Sequence, residues 1–336
     1  MIGHNTLVTP APVPGDCVKV SIIIPFQKDN PYIRECVTHC LALDYPDFEL
    51  ILLPDETFAS SDARVRVVPT GPVGPAEKRD RAIELSNGEI LAFIDDDAYP
   101  RPDWLKNAVP LFSDQVAAVG GPGVTPPSDG VLQKSSGYVF ASRIGGGNMT
   151  YRYIPGPARE VDDYPSCNFL IKKDVMQSLG GFDTHYWPGE DTKLCLDLTK
   201  TLHKKIFYSP EVFVYHHRRN LFVPHLKQIG RYAVHRGFFV KKFPETSFRI
   251  SYFIPTFFSL GLLLGWISLF INALLFLLYF SAVTLYLTGV IITGASAAAR
   301  EKDVRLFLPV TGGIIATHLV YGLLFIKGLL IRRLVQ

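Results

Sequence analysis

Charge is missing from two long stretches of this 336-residue chain: no Asp, Glu, Lys or Arg occurs from Ser251 to Ile292, and none from Leu306 to Ile326, where only His318 interrupts the apolar run. Roughly 20 apolar residues carry a helix across a bilayer, so the first stretch has room for two spans and the second for one. These runs also explain an apolar content of 48%, more than a soluble core requires. A membrane region of about three spans is therefore expected over residues 251–331. The opening segment, "MIGHNTLVTPAPVPGD", has neither a basic start nor an apolar run. That excludes a signal peptide, so residues 1–17 are expected to be a flexible lead and the polar region after them to stay cytosolic.

Cysteine is scarce as well. The five thiols (Cys17, Cys36, Cys40, Cys167, Cys195) form no C-x-x-C pair and are odd in number, which argues against a thiolate metal knuckle and suits reduced thiols. Cys36 and Cys40, four apart in an expected helix, read as ordinary buried residues. A strong charge of either sign is also lacking: the net charge of +3 gives no support to a nucleic-acid partner.

What is present is an alternation of strands and helices. Residues 18–25, "VKVSIIIP", form a β-branched run closed by proline, and 31–43 carry helical spacing through Ile33, Val37 and Leu41. "FELILLPDE" and "RVRVVPT" read as strands, "EKRDRAIELS" as a helix capped by Asn87-Gly88, and "EILAFIDDD" as the fourth strand. Continuous apolar strands of this kind belong to a parallel sheet covered on both faces, a doubly wound α/β half-domain whose ligands sit off the carboxyl ends of the strands. Pro25, Asp55 and Asp95–Asp97 all fall at such ends. From Ala117 to Pro165 the chain is rich in glycine, proline and serine and reads as strands and mobile loops of a mixed second half. A helix opening on Glu190-Asp191 follows, then "IFYSPEVFVYHHRR" as one strand ending in two histidines. Residues 221–250 place Leu226, Ile229 and Ala233 at helical spacing among Lys227, Arg231, Arg236, Lys241 and Lys242. Such a segment, set just before a membrane region, is expected to be a helix in the cytosolic headgroup layer, with membrane lipids as its partner.

Three adjacent carboxylates, Asp95, Asp96 and Asp97, repel one another unless a hard divalent cation sits among them. The pattern alone fits a solvated acidic turn equally well. Asp55 and Arg79 would add a base-recognising carboxylate and a phosphate-neutralising guanidinium to the same cleft.

"VSIIIPFQKD", "ELILLPDE", "GPAEKRDRAI", "GEILAFIDDDAYPRPDWL", "NFLIKKDVMQSLGGFD", "GEDTKLCLDL" and "VYHHRR" follow one another in an order and spacing that resembles a family 2 glycosyltransferase of the A-type nucleotide-sugar fold, over roughly residues 18–240. The resemblance implies a catalytic domain over 18–220 and a membrane-anchored enzyme using Mg²⁺ or Mn²⁺, a nucleotide-sugar donor (a UDP-sugar favoured), and a lipid-linked or glycan acceptor. It implies donor contacts from Pro25, Asp55, Arg79, Asp95 and Asp96, with Pro54 and Glu56 departing from the usual surroundings of Asp55. Metal ligation falls to Asp95, Asp97 and His216, with His217 as the alternative. Glu190-Asp191 would be the catalytic pair, Asp191 the base of an inverting displacement. "QIGRY" resembles the Q-x-x-R-W signature of membrane-bound members and implies acceptor-side roles for Gln228, Arg231 and Tyr232.

Tyr232 in place of Trp, and the lack of a span before the catalytic region, point to single transfers in surface polysaccharide or glycolipid biosynthesis and away from a processive synthase. A nucleotidyltransferase and a non-catalytic membrane scaffold are the competing readings. Three spans keep Arg300, Lys302 and Arg305 inside but leave Arg332 and Arg333 outside; one span plus a re-entrant segment does the reverse.

Overall fold

In the computed structural model, which describes residues 17–334 apart from Pro188, the apolar runs pair as a parallel core. β1 (Val20–Pro25) lies between β2 (Phe48–Leu53) and β4 (Ile90–Ile94), parallel to both, and β3 (Val65–Val67) continues the parallel order beyond β2. α1 (Pro31–Leu41) and α2 (Pro75–Leu85) make the crossovers. α1 starts at Asn30, whose side chain accepts from the backbone N–H groups of Tyr32 and Ile33. Of the expected lead, residues 1–16 lie outside the described residues, and Cys17 is exposed.

α2 does not end on an Asn87-Gly88 cap. Its last turn closes on Ser86 in extended conformation. Gly88 is needed for another reason: a Cβ there would stand 2.4 Å from the backbone nitrogen of Ser21 on β1.

β5 (Ala98–Pro100), α3 (Trp104–Ala108), β6 (Val116–Gly120) and β7 (Gly123–Val124) follow. The stretch expected to be strands and mobile loops also contains α4 (Val131–Ala141) and α5 (Arg143–Gly146). Its "SSG" interrupts the apolar pattern because Ser135, Ser136 and Gly137 are themselves buried. β8 (Arg159–Val161), β9 (Asn168–Lys172), α6 (Lys173–Ser178) and α7 (Glu190–Leu196) complete the second half with β10 (Lys205–Tyr208) and β11 (Val214–His216). "IFYSPEVFVYHHRR" is thus two strands, not one, and they belong to different sheets.

The large sheet has the order β3-β2-β1-β4-β9-β6-β10-β8, and a small one the order β5-β11-β7. β9 is antiparallel to both β4 and β6, so the chain entering β9 lies at the edge where the parallel strands end. One apolar cluster on each sheet face, around Ile22 and Leu50 on one and Phe93 and Ile171 on the other, covers the strands.

After the sheets come α8 (Val223–Lys242), α9 (Pro244–Ser247), α10 (Ile250–Leu264), α11 (Ala273–Glu301) and α12 (Phe307–Leu330). The last three regions are long and apolar enough to cross a membrane. α8 covers the expected interface segment, but Ala233 and Val240 of its buried face pack on Phe325 of α12 and its neighbours. One of its expected lipid-facing cations, Arg236, is also occupied within the protein, as described next.

Candidate active site

The carboxyl edge of the large sheet collects the acidic residues. Asp95 follows β4 directly, Asp55 stands two residues beyond β2, and Pro25 closes β1 opposite Leu53. Pro25 is buried and acts through backbone placement: the next carbonyl, Phe26 O, accepts from Lys78 Nζ. Lys78, also buried, donates to Leu53 O at 3.2 Å and to the Asp55 carboxylate. Asp55 is therefore not a free carboxylate but one whose direction is fixed by a lysine. The sequence reading passed over Lys78, although it adjoins Arg79 in "GPAEKRD".

The small sheet supplies the histidine. In the β5–β11 register Ala98 faces His216, which sets His216 beside Asp97. His216 Nε2 lies 3.1 Å from Asp97 Oδ1, and Asp95, Asp97 and His216 can each offer one donor atom within 4.8 Å of the others. Two carboxylates and an imidazole suit a divalent cation of the Mg²⁺ or Mn²⁺ type. Burial opposes ionisation of both partners, but each outweighs it for the other: Asp97 is held below the usual carboxylate range and His216 is raised to about 10. His217 is not an equivalent alternative, because Asp129 and Glu35 accept from or bond its two ring nitrogens. Asp96 is outside the triad; burial, then the charges of Asp97 and Asp95, raise it to about 7.

Glu190 and Asp191 open α7 in the same cleft. Arg79 joins them to the triad: its Nη2 is 2.8 Å from Asp95 Oδ1 and its Nη1 3.6 Å from Glu190 Oε1. Ser166, at the entry to antiparallel β9, donates its N–H to Asp191 Oδ2 at 3.2 Å. Burial raises both acidic groups, Glu190 to about 8, with Arg79 opposing. Arg79 Nε, Glu190 Oε2 and Asp191 Oδ1 are buried with no hydrogen-bond partner among the described residues. Orphaned polar atoms converging on one cleft are the mark of groups held for a ligand.

α8 reaches this pair from behind. Arg236 Nη2 bonds Asp163 Oδ2, Arg152 lies 3.5 Å from the same oxygen, and Thr192 of α7 donates to Asp163 Oδ1 at 3.1 Å. Phe239 leaves no room for a Cβ on Gly189, the residue before Glu190. Arg249 likewise bonds Asp162. Arg236 and Arg249 thus serve the catalytic domain, and sequence spacing carried no sign of it. The "QIGRY" trio divides. Gln228 Nε2 donates to Tyr232 Oη at 2.9 Å, and Tyr232 is itself exposed. Arg231 instead lines a groove against α12 with Lys227 and Lys327. Three residues of helix turn through about 300°, so Arg231 stays within about 60° of Gln228 around the helix while also reaching this groove.

A strand-end carboxylate cluster with a nearby histidine, a buried arginine and an acidic helix start stand together on a mixed sheet with a parallel half, the arrangement expected of the A-type fold. Residues 21–180, just under half of the chain, match the family described as "Glycosyl transferase family 2". It is 24% identical over 319 residues to the "Pre-mycofactocin glycosyltransferase" of Mycobacterium tuberculosis, covering 94% of this chain and 66% of that one, so it spans just under two thirds of that relative. A second relative, the "Dolichyl N-acetyl-alpha-D-glucosaminyl phosphate 3-beta-D-2,3-diacetamido-2,3-dideoxy-beta-D-glucuronosyltransferase" of Methanococcus voltae, is 23% identical over 334 residues, covering 93% and 97% of the two chains. The fold is that of the mannosyltransferase of Pyrobaculum calidifontis solved with GDP-Man and Mn²⁺, with a TM-score of 0.52 at 20% identity, over 93% of this chain and 89% of that one.

Proposed function

We propose that the chain is an inverting, metal-dependent glycosyltransferase of the hexosyltransferase type, anchored by its C-terminal helices. It moves one sugar from a nucleotide-sugar donor to a lipid-linked or glycan acceptor at the cytosolic membrane face. The observation that carries the reading is the Arg79 bridge, which sets a triad fit for a cation and diphosphate against a buried acidic pair. Asp95, Asp97 and His216 would hold Mg²⁺ or Mn²⁺, which when bound offsets the charge of the departing nucleoside diphosphate.

The chain's own residues do the rest. Asp55, aimed by Lys78, faces the nucleobase, for which a UDP-sugar is favoured. Ser166 fixes one oxygen of Asp191, so the unpartnered Oδ1 is left to take the proton of the acceptor hydroxyl as that oxygen attacks the anomeric carbon. A carboxyl raised by burial is a better base than one in water. Glu190 holds Arg79, and Gln228 and Tyr232 line the acceptor side. The relative from Methanococcus voltae, named for a dolichyl-linked sugar phosphate, supports a lipid-linked acceptor in surface polysaccharide or glycolipid biosynthesis.

The test is turnover of a nucleotide-sugar panel by the full chain with Mn²⁺ or Mg²⁺. Release of nucleoside diphosphate, abolished in Asp191→Asn, is expected; release of pyrophosphate would instead identify a nucleotidyltransferase.

A further inference from the structure

Three successive membrane crossings would make the first and third helices run in the same direction. Here they run in opposite directions. Phe253, near the start of α10, packs edge-on against Phe325, near the end of α12, with ring centroids 5.0 Å apart. Further along α10, Thr256 Oγ1 donates to Gly322 O and Ser259 Oγ to His318 O, both at 3.0 Å. α11 follows the other half of α12, again in reverse. Tyr286 Oη lies 3.0 Å from His318 Nδ1, Gly294 abuts Thr311, and Ala297 shares a cluster with Leu306 and Val310. The two arms close on each other farther out, where Tyr279 covers Gly265 and donates to Leu262 O at 3.2 Å. A hairpin standing off the middle of α12 has this pattern; an up-down-up bundle does not.

α8 lies along α12 in the same direction. Leu221 meets Gly313, His225 Nε2 is 2.9 Å from Thr317 Oγ1, Gly230 meets Leu324, and Gly237 meets Gly328. Both ends of α12 are seated on the catalytic domain. Leu306 packs with Val139 and Leu221 at one end; at the other, Lys241 Nζ donates to Ile331 O at 2.6 Å and Leu334 joins the Leu196–Phe239–Phe243 cluster. One third (33%) of the apolar window of Val304–Leu330 is buried within the protein, against 11% and 6% for the two arms. Standing α12 upright would carry α8, with Lys227, Arg231 and Lys241, through roughly 24 Å of bilayer, where charge is strongly disfavoured.

We propose that α12 lies in the bilayer surface beside α8 and does not cross it. The α10–α11 hairpin is then the inserted element among the described residues, its tip residues Phe270 and Ile271 being 75% and 70% exposed. Arg332 and Arg333 stay on the catalytic domain's side with Arg300, Lys302 and Arg305, as the distribution of basic residues in membrane proteins favours. Lys227, Arg231 and Lys327, around a groove of about 540 Å³ walled by Val223, Leu226 and Leu324, then meet lipid phosphates. This departs from the three spans expected from hydropathy.

The test uses the full-length protein in sealed membrane vesicles of both orientations, an impermeant maleimide, and mass-spectrometric mapping. Arg333→Cys is expected to be labelled from the same face as exposed Cys17; labelling from the opposite face overturns the proposal. Nitroxides at Leu308→Cys, Leu323→Cys and Leu330→Cys give an independent readout. Equal shallow depths are expected, whereas a position 323 about 10 Å deeper than position 330 would mark a crossing helix.

Discussion

Arg79 donates from Nη2 to Asp95 Oδ1 at 2.8 Å while its Nη1 faces Glu190, so one buried guanidinium ties the metal side of the cleft to the acid pair. Arg79→Ala leaves Glu190 buried without a counter-charge, and kcat/KM is expected to fall on the order of 10²–10³-fold, the usual scale for a lost electrostatic group in a site. Arg79→Lys should fall between, because an ammonium cannot fork to two carboxylates. Steady-state kinetics at saturating metal check this; an alanine variant near wild-type efficiency would contradict the bridge.

The pH dependence follows from the same contact. Burial raises Asp191, and Arg79 opposes that rise. A base works only when ionised, so turnover should decline as pH falls through the raised value, giving an acidic limb above the ordinary aspartate range near 4. Arg79→Gln removes the opposing charge and should move the limb to still higher pH. A kcat–pH profile of both proteins decides; limbs at the same pH would remove Asp191 from the base role.

Asp96 and Asp97 should separate cleanly. In the metal-free protein Asp96 is raised to about 7. The native state then retains a proton that the unfolded chain loses, so stability decreases as pH rises from about 4 to about 7. Asp96→Asn is expected to raise Tm at pH 8 by a few degrees and to keep turnover within several-fold. Asp97→Asn removes a metal donor and should abolish Mn²⁺-dependent nucleotide-sugar binding in calorimetry. Loss of binding in the Asp96 variant alone would show that the register of the cluster is wrong.

Asp163 couples α8 to the start of α7, through Arg236 and Thr192. Burial opposes its ionisation, but Arg236 and Arg152 outweigh burial and hold it well below the usual carboxylate range. Its contribution is present above the unfolded value near 4 and lost as pH falls further. Asp163→Asn leaves two guanidiniums uncompensated and is expected to destabilise by about 3–5 kcal/mol. Faster amide exchange in α8 and in Glu190–Leu196 should accompany this; unchanged exchange there would mean that α8 does not support the pair.

How much was legible varies with the reach of each interaction. β1, β2, β4 and α1 could be read because their apolar pattern is local and uninterrupted. α4 could not: Ser135, Ser136 and Gly137 look like a loop until Val139 is packed against Leu221, Val310 and Ile314. The break between β10 and β11 was hidden in one apolar run, since "SPEV" reads as an interruption only when its two sides join different sheets. Among the site residues, Asp95, Asp97, Glu190 and Asp191 stood out as acidic groups at element ends. Lys78 and Asp163 did not, because Lys78 pairs with Asp55 23 residues away and Asp163 with Arg236 73 residues away.

By itself the sequence determined the parallel half-sheet, the carboxylates delivered to its edge and the charge-free segments that need lipid, since each depends on residues within one element. The tertiary structure decided that His216 and not His217 joins Asp97, that Arg79 bridges to Glu190, and that Arg231 lines a groove against α12. It also decided the direction in which α10 meets α12. These outcomes depend on register between strands and on close helix contact at Gly237 and Gly328. Hydropathy reports how apolar a helix is, and only packing reports which of its ends faces which neighbour.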